Sequence, residues 1–217
     1  MVTVVVVDDE PMVCAHLRTI LGSAPDLAVV AEAHDGAAGV EAAVRTRPDV
    51  VLMDLRMPVM DGIAAIERIV KMTDPPVVVV LTTFDADQYV LRALRAGAAG
   101  FLVKSTPPMD LIGLVRVAAE GHTVLSPAAA RRLIAASSDS QPARERARSL
   151  VSSLTEREVE VLAGLGEGLS NAQIASRLYL SEATVKGYVS RVLDKLGLGN
   201  RTQAGLLAHD AGIVSDR

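Results

Sequence analysis

Three carboxylates, a hydroxyl and an ammonium stand directly after apolar runs in this chain. Asp8 and Asp9 close the valine run at 4–7, Asp54 closes the run at 50–53, Thr82 follows the run at 77–81, and Lys104 follows GFLV at 100–103. Acids gathered in one place repel each other and need a cation. Oxygen-only ligands favour a hard ion, and a small ligand set that leaves room for water and phosphate oxygens suits Mg²⁺. Asp54 is then a nucleophile for phosphoryl transfer, forming an acyl phosphate. The ion and Lys104 would neutralise the transferring group. Taken singly, each residue has a plainer role: an Asp after a strand is usually a turn or cap, Thr82 is a β-branched strand residue, Lys104 a surface lysine, and Asp61-Gly62 reads as a turn. The chemistry rests on the set.

Such a set needs strands that end together. Val4–Val7, Leu27–Val30, Val50–Met53, Val77–Leu81 and Gly100–Val103 are continuous rather than alternating, as strands covered on both faces are. Segments with helical spacing lie between and after them: Pro11–Leu21, Gly36–Arg45, Ile63–Lys71, Asp87–Arg95 and Met109–Glu120. This alternation predicts a parallel sheet with helices on both faces. In such a sheet ligands bind beyond the carboxyl ends of the strands, where the polar residues stand.

The chain has 217 residues, room for two modest domains, and half of them are hydrophobic. Trp is absent and aromatics make up 2%, so the cores must be built from Val, Leu, Ala and Ile. The single cysteine, Cys14, excludes an intrachain disulfide and fits a reducing compartment. The opening MVTVVVVDDE does not read as a signal peptide, and no apolar stretch approaches the roughly 18 residues of a membrane span. A cytoplasmic protein is expected. The net charge of −4 belongs to the first part of the chain; the remainder is balanced, with a local basic excess between Arg177 and Arg201. That excess suits either a solvated helix face or a phosphate-contacting patch.

The segment SPAAARRLIAA, with Ser126 as cap and Pro127 in the first turn, predicts a connecting helix. Ser137–Ser149, rich in Ser, Arg and Pro, predicts a mobile linker. After Leu150 only helices are signalled. Thr155…Glu158 and Ser170…Gln173 fit the capping box, Ser181 caps a third helix over Glu182–Leu196, and a fourth runs from Thr202 to His209. The tight Tyr179-Leu180-Ser181 connection suggests a helix-turn-helix. Along the third helix Val185, Val189, Val192 and Leu196 share one face, with Lys186, Gly187 and Ser190 opposite.

VVVVDDE, MDLRMPVMDG, VVVLTTF and GFLVK resemble the receiver domain of two-component response regulators. LTEREVEVLAGLGEGLSNAQIASRLYLSEATVKGYVSRVLDKLGL resembles the LuxR-type helix-turn-helix. Together they match the NarL/FixJ family. The resemblance implies a flavodoxin-like, doubly wound, five-stranded parallel sheet of order 2-1-3-4-5, then an all-α four-helix domain. The expected limits are 1–122 for the receiver, 123–149 for connecting helix and linker, and 150–217 for the DNA-binding domain. It further implies that Asp54 is the phosphoacceptor. Mg²⁺ would lie on Asp9 and Asp54, on Asp8 through water and on the Arg56 backbone carbonyl. Thr82 and Lys104 would contact the phosphoryl group, and Phe101 would be the switch aromatic. The implied partners are a sensor histidine kinase, double-stranded promoter DNA and a second copy of the chain.

By the same analogy Lys186, Gly187 and Ser190 face bases, and Asn171, Thr184 and Arg191 meet phosphates. Gly187 stands where the family has a larger residue, so weaker direct readout is expected at that base pair. Ser105 follows Lys104 where many receivers have proline, often with a cis bond. Phe84, two residues after Thr82, is expected to hinder water and prolong the acyl phosphate. Two other readings compete: a phosphorylation-independent regulator, against which the complete polar set argues, and a Mg²⁺-dependent phosphohydrolase. The latter usually needs a second acid two residues after the nucleophile, where this chain has Arg56, so a phosphoacceptor rather than an enzyme is expected.

Overall fold

The computed structural model describes residues 1–83, 87–126, 129 and 141–214, which fall into two compact units, Met1–Arg132 and Leu133–Arg217. In the first unit strands and helices alternate: β1 (Val2–Val7), α1 (Pro11–Gly22), β2 (Leu27–Ala33), α2 (Gly36–Thr46), β3 (Val50–Met53), α3 (Gly62–Ile69), β4 (Val77–Thr82), α4 (Asp87–Ala96), β5 (Gly100–Val103), α5 (Pro108–Ala119) and β6 (Val124–Leu125). All pairings are parallel, in the order β2-β1-β3-β4-β5-β6. The expected order 2-1-3-4-5 is present, and the expected count of five strands is corrected to six. A two-residue strand carries no periodic signal. It fits because residue 100 is glycine: a Cβ there would meet the Val124 Cγ2 at 2.4 Å and its carbonyl oxygen at 2.6 Å.

The valine runs are buried on both faces of the sheet. Val4, Val6, Leu52, Val79, Leu81 and Leu102 pack with Cys14, Leu17 and Leu21 of α1 and with Leu111, Ile112 and Val115 of α5. Strand side chains alternate, so Val5, Val7, Met53, Val80 and Phe101, also buried, line the opposite face with α2, α3 and α4. Each fully buried side chain of this kind contributes about 1.5–3 kcal/mol, and this repeated burial holds the strand ends in register.

The second unit contains α6 (Gln141–Val151), α7 (Glu156–Gly166), α8 (Asn171–Leu178), α9 (Glu182–Leu196) and α10 (Arg201–Ala211). Its core joins Val161, Leu162, Leu165, Ile174, Val185, Val192, Leu196, Ala204 and Ala208. Both expected capping boxes are formed, Ser181 caps α9, and Asn200 caps α10. The turn between α8 and α9 opens on Tyr179, left-handed at φ 55°.

One expectation fails here: the polar run read as linker is helical from Gln141. Among its described side chains, residues 144–151, the one that is deeply buried is Ala147. The Arg148 Nε–H donates to the Ala211 carbonyl at 3.3 Å, tying α6 to the end of α10. Ala147, the half-buried Val151 and an arginine stem carry the packing, too little apolar surface for hydrophobicity along the sequence to register it. Most of the expected connecting helix lies outside the described residues, although Ala129 N–H donates to Ser126 Oγ at 3.2 Å, as a cap would require. Phe84 is also outside them. Among the described residues every peptide bond is trans, Lys104–Ser105 included, and no helix is long and apolar enough to cross a membrane.

Candidate functional site

The ladder carries the ends of four strands to one place. Beyond the paired residues, Asp8 N–H donates to the Ala33 carbonyl at 3.0 Å, Asp54 N–H to the Val7 carbonyl at 2.9 Å and Lys104 N–H to the Thr82 carbonyl at 2.8 Å. These bonds fix the first residue after β1, β3 and β5. Asp8 and Asp54 are buried there, Asp9 is exposed, and ligand oxygens from all three lie within 4.8 Å of one another. Lys104 Nζ lies 2.6 Å from Asp8 Oδ2 and 3.2 Å from Asp54 Oδ2. The other oxygens are held by backbone: Asp8 Oδ1 accepts from Glu10 N–H at 3.1 Å, and Asp54 Oδ1 from Leu55 N–H at 2.7 Å.

Burial pushes the Asp8 carboxyl above its ordinary range, against the hydrogen bonds from Lys104 and Glu10 N–H. Burial alone would lower the Lys104 pKa; the bond to Asp8 and the charge of Asp54 reverse this and hold the ammonium above its ordinary range. Three carboxylates against one ammonium leave two negative charges within the cluster, the charge of one divalent cation. The donors are all oxygen. Opposite vertices of a Mg²⁺ octahedron are about 4.2 Å apart, so a spread of 4.8 Å needs only slight closure. The residues present therefore fit Mg²⁺.

Thr82 is buried at the end of β4. Phe101 is fully buried in β5, paired with Val80 and Leu125. Arg56 is exposed in the loop after β3. Sequence reasoning missed a contributor in this loop. Asp61 does more than turn the chain, since its Oδ1 caps α3 by accepting from Ala64 N–H at 2.8 Å. Gly62 N–H donates to the Leu55 carbonyl at 3.0 Å, and a Cβ on Gly62 would lie 2.1 Å from the Asp54 carbonyl oxygen. Only glycine lets α3 start against the backbone of Asp54. The signal was a glycine a few residues after the acid, indistinguishable in sequence from an ordinary turn glycine. Cys14 and His34 also pack beneath the site: His34 Nδ1 is 3.1 Å and Cys14 Sγ 3.5 Å from the Asp8 carbonyl. Burial pushes the Cys14 thiol up to about 11, which makes it inert.

In the second unit Thr184, Lys186, Gly187, Ser190 and Arg191 all lie exposed on α9. Their polar groups are largely satisfied on the helix itself. Thr184 Oγ1 is 2.7 Å from the cap oxygen of Ser181, Ser190 Oγ donates to the Lys186 carbonyl at 3.2 Å, and Arg191 Nε–H donates to the Gly187 carbonyl at 3.2 Å. Gly187 is not demanded by packing, since a Cβ there would meet nothing within 4 Å. Asn171 is the first residue of α8, half-buried, with its Oδ1 buried and without a hydrogen-bond partner. The structure thus brings five of the six DNA-facing candidates onto one helix and puts the sixth on the helix before it.

Two family models match the chain: "Response regulator receiver domain" over residues 4–116 and "Bacterial regulatory proteins, luxR family" over residues 152–208. The chain is a two-component response regulator of the NarL/FixJ family. It is 35% identical over 211 residues to the nitrate/nitrite response regulator protein NarL of Escherichia coli K12, covering 97% of this chain and 96% of that one. It is 39% identical over 208 residues to the DNA-binding transcriptional activator DevR/DosR of Mycobacterium tuberculosis, covering 96% and 94%. Among solved structures it is similar to the response regulator ChrA of a heme-sensing two-component system, with a TM-score of 0.53, 38% identity and 98% coverage of both chains. The receiver and the luxR-type helix-turn-helix of this response regulator are those of a phospho-regulated, DNA-binding transcription factor.

Proposed function

We propose that this response regulator accepts a phosphoryl group on Asp54 from the phosphohistidine of a sensor kinase and thereby gains affinity for promoter DNA. The observation that carries the reading is the contact of one ammonium, Lys104 Nζ, with both buried acids, at 2.6 and 3.2 Å. An Asp54 carboxylate oxygen attacks phosphorus; the P–N bond to the kinase imidazole breaks, and its electron pair leaves with the imidazole nitrogen. Lys104 stands beside Asp54 to offset the phosphoryl charge, and Thr82, at the adjoining strand end, offers a hydroxyl. Asp8, Asp9, Asp54 and the Arg56 carbonyl would hold Mg²⁺, which supplies charge neutralisation to the phosphoryl oxygens. Phe101, already fully buried in β5, would repack as Thr82 moves, and that repacking would be the switch.

The receiver is assigned to 1–122, the connector to 123–149 and the DNA-binding domain to 150–217. The helix Gln141–Val151 lies at the junction of the last two. Lys186, Gly187 and Ser190 would face bases in the major groove; Asn171, Thr184 and Arg191 would meet phosphates. Gly187 offers no side chain to its base pair, so readout there is weak. Two copies on half-sites about one helical turn apart bind better than one. Phosphorylation would favour this dimer or release the DNA-binding domain, in either case a population shift.

Incubating the full chain with acetyl phosphate and Mg²⁺ tests the proposal. One phosphoryl group per chain is expected, absent in Asp54→Asn and acquired about a hundredfold more slowly in Lys104→Ala. Continuous phosphate release would instead mark a phosphohydrolase, and no label would mark a regulator that works without phosphorylation.

A further inference from the structure

The arginines of the helix-turn-helix differ in how they are held. Arg177 is neutralised by Glu167, with both terminal nitrogens at 2.8 Å from its carboxylate. Arg157 is tied to Glu160 at 2.6 Å and to the Leu178 carbonyl at 2.8 Å. Arg201 donates to the Leu169 carbonyl at 2.5 Å and is buried enough that its pKa is lowered. Arg191 is held without being neutralised. Its guanidinium carbon lies 4.3 Å from the centroid of the Tyr188 ring, and its Nε–H donates to the Gly187 carbonyl. Among the described residues no carboxylate pairs with it.

These two contacts fix the guanidinium plane by its face and by one edge. The remaining edge carries Nη1 and Nη2, a fork that matches the oxygens of a phosphate. The ring is itself anchored, because Tyr188 packs half-buried against the core of the second unit. Gly187 leaves the helix flank beside that carbonyl uncovered, and nothing in the packing requires a glycine there.

We propose that Tyr188 is a positioning residue: its ring holds Arg191 so that the terminal guanidinium edge clamps a DNA backbone phosphate. The inference rests on the DNA-binding reading of the second unit. It goes beyond it in assigning to Tyr188 a role that acts through Arg191. Because Tyr188 and Gly187 carry no charge, they orient the cation without lowering its attraction for an anion.

The test uses the full chain and a labelled mixed-sequence duplex, titrated over a range of salt concentrations, with thermal melting in parallel. Arg191→Ala and Tyr188→Leu should each weaken binding about fivefold. The Arg191→Ala change should also lower the slope of log affinity against log salt by about one. The double variant should bind no more weakly than Arg191→Ala alone, since the ring acts only through the arginine. Tyr188→Phe, which keeps the ring, should restore the affinity lost in Tyr188→Leu. Arg191→Lys should keep the salt slope yet lose affinity, and it serves if Tyr188→Leu melts too low to measure. A Tyr188→Leu effect of equal size in the Arg191→Ala background would mark a purely structural residue and overturn the proposal. Unchanged salt slope with relaxed preference at one base pair would mean a base contact and overturn the phosphate assignment. A chain that binds no duplex at all would overturn the DNA-binding reading itself, whereas binding without coupling would overturn only the role of Tyr188.

Discussion

The acidic site of the receiver and the outer face of α9 assemble their polar groups in opposite ways. The acidic site draws on residues 8, 54, 82 and 104, from four strand ends, and buries most of them. The face of α9 draws on residues within one helix, all exposed; the hydroxyls of Thr184 and Ser190 and the Nε–H of Arg191 are parked on the helix's own carbonyls and cap. The first is completed by the fold and keeps its charges out of water, where each contact is strong. The second, in its proposed role, would be completed only when DNA arrives. The proposed chemistry on a phosphoryl group calls for the first arrangement, and the proposed reading of a polyanion for the second.

The difference predicts where the molecule is brittle. A change in the backbone packing of the acidic site should be costly. Gly62→Ala places a methyl group against the Asp54 carbonyl, 2.1 Å from where the Cβ would sit, and should destabilise the receiver by about 3 kcal/mol, read in chemical denaturation of the full chain. A loss below about 0.5 kcal/mol would show that the loop gives way easily and that the site is less rigid than its geometry implies.

An intermediate effect is expected where α9 is fastened to α7. Lys195 Nζ lies 2.8 Å from Glu158 Oε2, and the same carboxylate accepts from Thr155 N–H at 2.8 Å. The Lys195 bond first, and the capping bond second, hold the Glu158 carboxyl at about 2 against an ordinary value of 4.5. A lowered folded pKa means that this stabilisation is present above 4.5 and is lost as pH falls from 4.5 towards 2. The protection factors of amides in α7 and α9, which allow for the pH dependence of intrinsic exchange, should therefore fall across that window in the wild type, and by less in Lys195→Met. Equal acid sensitivity in both chains would remove the ion pair from the account.

The smallest effect is expected at the turn of the helix-turn-helix. Tyr179 is left-handed at φ 55° and 96% exposed. A non-glycine residue there costs about 1–3 kcal/mol, and glycine returns part of this through its own flexibility. Tyr179→Gly should therefore stabilise the second unit by under about 1 kcal/mol, seen as a small rise in melting temperature. Destabilisation would mean that the ring has a packing role its exposure hides.

The acidic site of the receiver was more legible in the sequence than the outer face of α9, for a physical reason. Continuous valine runs mark strands buried on both faces, and a charged residue at the end of such a run is conspicuous; Asp8, Asp54 and Lys104 were legible for that reason. The helix caps Thr155, Ser170 and Ser181 were equally legible, because capping is a local matter of residue type and spacing. What escaped depended on contacts between distant segments. The two-residue β6 is allowed by the missing side chain of Gly100, α6 is held by Ala147, Val151 and an arginine–carbonyl bond, and Gly62 matters because α3 begins against Asp54. The stacking of Arg191 on Tyr188 needs a rotamer that spacing does not specify.

The most direct test of the whole account couples the two regions. The affinity of the full chain for a labelled duplex, selected from a random-sequence pool, should be measured before and after treatment with acetyl phosphate and Mg²⁺, for wild type and Asp54→Asn. The account predicts that treatment tightens wild-type binding by about tenfold, within the usual range of allosteric coupling, and leaves Asp54→Asn unmoved. Equal affinity of labelled and unlabelled wild type, or an Asp54→Asn chain that responds as the wild type does, would contradict it.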